Sequence, residues 1–289
     1  MVTLRSADMV GSYAPGAGDA RAALDEGLRL ERGGMPDRAL HCYEEALAAV
    51  SNPALQAEAL RHIADAHRAR GSWADALAAA QRSAAVAAAA GLPELHAEAL
   101  NAEGNVHLVR GDVAAARPIF TNALASAGDE RIRGILLQNL GTCAAREGDG
   151  PAAQELFTAS LGCFRSAGYQ RGVLIALNNV AAATIEFGDV AAALPLLAEA
   201  GVLARTVEDL DLLLLTVICE AEALGKLGRH AEAEHRVGEA LGFFSTAGNG
   251  LRRAECLLVL GDIHRAQEGP EHEETARRCY QVAARLGAE

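Results

Sequence analysis

Residues 97–123 read AEALNAEGNVHLVRGDVAAARPIFTNA, and this stretch decides the fold. Gly111 divides it. Seven residues before Gly111 stands Gly104, and four before that Leu100. Five residues after it stands Ala116, then Phe120 four further on, then Ala123 three beyond. Steps of three, four and seven place these residues on one face of a helix on each side of the glycine. The small residues allow two helix axes to approach closely, and the large one beside them fills the gap. Glycine suits the left-handed turn that ends a helix. The stretch therefore predicts a pair of helices crossing at Gly104 and Ala116.

The same spacing recurs outward in both directions. The turn glycines are Gly34, Gly71, Gly111, Gly148, Gly188 and Gly228. Five residues after each comes an alanine: Ala39, Ala76, Ala116, Ala153, Ala193, Ala233. Seven before each comes a small residue: Gly27, Ala64, Gly104, Gly141, Ala181, Ala221. A final copy runs through Leu257, Gly261, Ala276, Tyr280 and Ala283, with a longer acidic turn. Successive glycines lie 37 (71−34), 40 (111−71), 37 (148−111), 40 (188−148) and 40 (228−188) residues apart. Most second helices close on Ala-Gly (Ala90-Gly91, Ala127-Gly128, Ala167-Gly168, Ala247-Gly248), but the fifth copy has Val207-Glu208 there.

This pattern, from about residue 20 to 286, resembles the tetratricopeptide repeat, with its small residue at the eighth place, its turn glycine and its Ala-x-x-x-aromatic-x-x-Ala. The common form has a shorter repeat. The extra residues amount to nearly one helical turn and are expected in the second helix. Repeats of this length resemble those of kinesin light chain, spindle-orientation adaptors and bacterial peptide-sensing regulators. The resemblance implies an all-α, right-handed α-solenoid of about seven helix-turn-helix repeats. Residues 1–18, with Gly11, Pro15, Gly16 and Gly18, read as a flexible leader. Residues 19–289 read as a single solenoid whose last repeat acts as a cap.

Composition agrees. Alanine, leucine, glutamate and arginine favour helix, and aromatics make up only 4% of the chain. A net charge of −12 without a basic run argues against nucleic acid as a partner. No apolar run reaches the length of a bilayer span, so a membrane is not expected as a partner either. The six cysteines lack zinc-ligand spacing and read as free thiols of a reducing, cytoplasmic setting. No phosphate-binding loop, nucleophile elbow or zinc-protease motif occurs, so no cofactor, metal or catalytic residue is expected. His62, Asp65 and His67 could suggest a metal, but a hydrogen-bonded pair on a groove is the simpler reading. His67, His107 and His264 read as packing residues, and Glu271–Glu274 as a solvated turn.

In tetratricopeptide proteins the first helix of each pair lines the concave groove. The resemblance maps Asn101, Asn105, Gln138, Asn139, Asn178 and Asn179 onto that groove, with Arg61 and Asp65 at one end. Asparagine is a mediocre helix former, so its recurrence asks for a use. An amide both donates and accepts, so it can pair with the backbone of an extended peptide. Alternatively the amides bridge neighbouring helices or face water. The charges around them are mixed: Arg68 and Arg146, then Glu186, Glu222, Lys226, Asp262 and Arg265. Lys226 is the only lysine, so the lysine-bearing clamp that takes chaperone tails is not expected. The leading expectation is a protein- or peptide-binding scaffold, with homodimerisation compatible. The alternatives are a peptide-sensing regulatory module and, behind both, an enzyme.

Overall fold

The computed structural model describes residues 17–246 and 249–286. Sixteen of the eighteen leader residues lie outside this set, as does Ala247-Gly248, while Ala17 and Gly18 open the first helix. The described residues contain fourteen α-helices and no strand. These are α1 (Ala17–Arg32), α2 (Pro36–Ala49), α3 (Pro53–Ala69), α4 (Trp73–Ala89), α5 (Pro93–Val109), α6 (Val113–Ser126) and α7 (Glu130–Arg146). They continue as α8 (Gly150–Ser166), α9 (Gln170–Phe187), α10 (Val190–Thr206), α11 (Leu210–Lys226), α12 (His230–Thr246), α13 (Gly250–Arg265) and α14 (Pro270–Leu286). They form a solenoid of helix pairs, grouped into one compact unit ending at Gly128 and another beginning at Asp129.

Within each unit every odd-numbered helix packs on the even-numbered helix that follows it. Successive first helices also touch: α1 with α3 and α3 with α5 in the first unit, and α7, α9, α11 and α13 in sequence in the second. Second helices of successive pairs stay farther apart and reach each other through long side chains, as Arg165 of α8 does to Glu199 of α10 at 2.7 Å. Each unit therefore curves with its first helices on the inner side.

The crossing inside each pair follows from two residues. A Cβ added at Gly27, Gly104, Gly141 or Gly261 would collide with the ring of Tyr43, Phe120, Phe157 or Tyr280, respectively. Where the small residue is alanine, its counterpart in the second helix is not aromatic. Ala64 shares its core with Ala80, Ala221 with Val237, and Ala181 with Leu197. Close packing thus allocates one volume between two positions. Ser83 and Ser160 occupy buried alanine places further along. Their hydroxyls are satisfied by donating to the carbonyl oxygens of Ala57 and Gly134, each at 2.7 Å.

The two repeat lengths have one structural cause. The 37-residue intervals contain the 14-residue helices α2 and α6, and the 40-residue intervals contain the 17-residue helices α4, α8 and α10. The added turn therefore lies in the second helix, as expected. Turn chemistry is equally regular. Gly71, Gly111 and Gly148 have φ of 74°, 82° and 79°. Asp112, Asp149 and Asp209 then cap the next helix through backbone N–H groups of Ala115, Ala152 and Leu212. Gly188 departs from the expected left-handed turn: its φ is −136°, and α9 continues to Phe187. The ring of Phe187 lies over Gly150, where a Cβ would meet it. At the fifth Ala-Gly place Glu208 adopts φ 56°, a left-handed conformation without glycine.

Candidate binding face

In the first unit the inner face is charged and largely self-paired. Residues four apart on a helix share a face, so α3 brings Arg61 and Asp65 to 3.6 Å. Arg68 binds the same carboxylate at 3.2 Å. Arg61 also approaches Glu98 on α5, with Nε at 3.3 Å from the carboxylate, an ion-pair distance without an aligned hydrogen bond. Its Nη2 donates to Nε2 of His62 at 2.9 Å. That ring is buried and stacks on Tyr43 at 5.0 Å between centroids. Burial, with the charges of Arg61 and Arg21 adding to it, pushes the His62 pKa down to about 3. His62 therefore stays neutral near pH 7 and accepts the arginine proton. Arg21 of α1 grips Glu58 of α3 through two bonds of 2.7 and 2.8 Å. Arg61 and Asp65 are thus brought together on α3, and Arg61 alone reaches across to the neighbouring first helix α5. Asn101 and Asn105 lie one turn apart on α5, both half-buried.

The second unit carries the remaining amides. Asn139 and Asn179 stand at the same repeat place on α7 and α9, and both are half-buried. Asn179 makes no hydrogen bond among the described residues. Asn178 corrects the expectation for its position: it is only 2% exposed, and its Nδ2 donates to Leu174 O at 3.0 Å, one turn back in its own helix. Its Oδ1 is buried without a partner among the described residues, as is Oε1 of Gln138 at the matching place on α7. In α9 the fifth repeat place therefore turns under the neighbouring helix, while the sixth stays half-exposed.

Farther along this unit the matching places become apolar. They are Ile218 and Cys219 on α11 and Leu258 and Val259 on α13, of which Leu258 is 46% exposed. Between α11 and α13 opens a cavity of about 300 Å³, lined by Ile218, Gly225, Lys226, His230, Val259 and Asp262 among others. Charge stands at its rim: Lys226 pairs with Glu222 at 2.9 Å and Asp262 with Arg265 at 3.0 Å. These apolar places were not singled out from the sequence. Their only signal was leucine and isoleucine at places that earlier copies fill with amides.

The six cysteines are unpaired. Burial pushes the thiols of Cys163, Cys219 and Cys256 up to about 11, which keeps them protonated and unreactive. No helix among the described residues is long and apolar enough to cross a membrane.

Comparison with known proteins follows this geometry. The family described as tetratricopeptide repeat matches residues 24–93 and 101–168. No curated protein matches the chain by sequence. Among solved structures, a Rap protein complexed with competence and sporulation factor is 16% identical, with a TM-score of 0.65 over 93% of this chain and 75% of that one. A signal-transduction ATPase with numerous domains and a tetratricopeptide-repeat sensor, from Pyrococcus horikoshii, is 11% identical. Its TM-score is 0.75 over 93% of this chain and 42% of that one. A fungal putative kinesin light chain with nearly identical repeats, from Podospora anserina, is 15% identical, with a TM-score of 0.58 over 68% of this chain and 96% of that one. The family's sequence signature spans α1 to α8 and its fold runs through all seven helix pairs, so the chain belongs to the tetratricopeptide-repeat proteins.

Proposed function

We propose that the chain is a peptide- or protein-binding module, not a catalyst, and that the inner face of its second unit receives the ligand. The observation that carries this reading is the paired placement of Asn139 and Asn179 on adjacent first helices, with an open apolar cavity further along the same unit between α11 and α13. The amides suit a peptide backbone, and the cavity suits an apolar side chain of the same segment. A peptide-sensing regulatory module would use the same face, adding a change of curvature when the ligand binds. Six unpaired cysteines support a reducing, cytoplasmic setting.

The test is a titration with a ligand captured from the native cell. Each amide that pairs with peptide backbone contributes about 0.5–1.5 kcal/mol. The double variant Asn139→Ala/Asn179→Ala should bind roughly ten- to a hundredfold more weakly and melt near the parent. Glu155→Ala, exposed on α8, should bind as the parent does. Unchanged affinity in the double variant would move the site away from this face. An unfolded double variant would show that the amides bridge helices instead.

A further inference from the structure

We propose that Glu234, His264 and His272 form a binding site for a divalent transition-metal ion of the zinc class, which ties the last helix pair to the preceding one. The three residues come from three helices: Glu234 from the first half of α12, His264 from the last turn of α13 and His272 from the first turn of α14. Their ligand atoms all lie within 4.8 Å of one another. Nδ1 of His264 stands 3.2 Å from Nδ1 of His272 and 3.5 Å from Oε1 of Glu234.

The two separations from His264 match a coordination polyhedron. Zinc holds histidine nitrogen at about 2.0–2.1 Å and carboxylate oxygen at about 2.0–2.2 Å, so neighbouring donors in a tetrahedron lie about 3.3–3.5 Å apart. Hydrogen bonding alone serves the trio poorly. Nδ1 of His264 faces an imidazole nitrogen and a carboxylate oxygen at once, yet a neutral ring carries at most one proton there. A cation satisfies all three donors together. The two rings stack with planes 28° apart, and the torsion that aims an imidazole is soft, so the rings can turn toward a shared ligand.

The surroundings fit a built site. Gln267 donates to Oε1 of Glu234 at 2.7 Å, the outer contact that orients a ligating carboxylate. The three ligands are all partly buried, and the side chain of His264 is only 16% exposed. Glu268 in the turn between α13 and α14 and Glu271 in the first turn of α14 add negative charge. Two nitrogens and one oxygen with a fourth position left open suit zinc, whereas calcium and magnesium prefer oxygen alone.

The test uses the full, untagged chain, stripped with chelator and titrated calorimetrically with zinc chloride. One equivalent should bind, and the melting temperature should rise with added zinc. Cobalt(II) in place of zinc should give the visible absorption of a tetrahedral site. His272→Gln, at the outer edge of the fold, should weaken binding about tenfold or more and abolish the zinc-dependent rise, with an unchanged far-ultraviolet spectrum. Glu234→Gln should weaken binding in the same direction. The proposal is overturned if the parent binds no zinc, or if both variants bind it as tightly as the parent.

Discussion

A methyl group at residue 104 would enter the ring of Phe120, and the chain answers this constraint four times with glycine opposite an aromatic. Gly104→Ala should therefore destabilise by about 1–3 kcal/mol, as overpacking does. Phe120→Leu should relieve that cost, since Ala181 with Leu197 is the same exchange made naturally in the fifth copy. Chemical denaturation of the two single variants and the double variant closes the cycle. The pair should couple by at least about 0.5 kcal/mol in the compensating sense, and additive effects would contradict the shared-volume account. Small-residue spacing was legible at this scale because it repeats seven times. The roles of Asn178 and Asn179 were not. Consecutive residues differ by about 100° around a helix, and which of them the next helix covers depends on the rotation of the pair. Asn178 turned under and bonded to Leu174, and Asn179 remained outward.

At the scale of the element, glycine spacing predicts helix length, because the 37- and 40-residue intervals differ by one turn of a second helix. It does not predict the backbone at Gly188, where α9 runs one residue longer than its equivalents α7 and α11. Glu208 poses the reverse case. It takes φ 56° where the corresponding Gly168 takes 65°. A residue with a Cβ pays about 1–2 kcal/mol for that conformation, and glycine's greater freedom when unfolded returns part of this. Glu208→Gly should raise stability by up to about 1 kcal/mol, and Gly168→Ala should lower it by about the same amount. Both are read from thermal or urea denaturation. A fall in stability for Glu208→Gly would mean that its side chain contributes more than the turn costs.

For the molecule as a whole, the fold was open to reading because a solenoid is built from neighbours in sequence. Sites gathered from several helices were not. Glu234, His264 and His272 carry no motif spacing, and the cavity of α11 and α13 exists only once Ile218 and Val259 stand side by side. The resemblance mapped Arg61 and Asp65 onto the groove, yet only in three dimensions does Glu98 of α5 show Arg61 tying two first helices together. The central claim is that the inner, first-helix face of the second unit is where a ligand lies. A photo-crosslinking residue at Ala182, exposed on α9, tests it directly against the same residue at Ala159, exposed on α8. The account predicts that the captured ligand is trapped from position 182 and not from 159. Trapping from 159 alone would contradict it and place binding on the second helices.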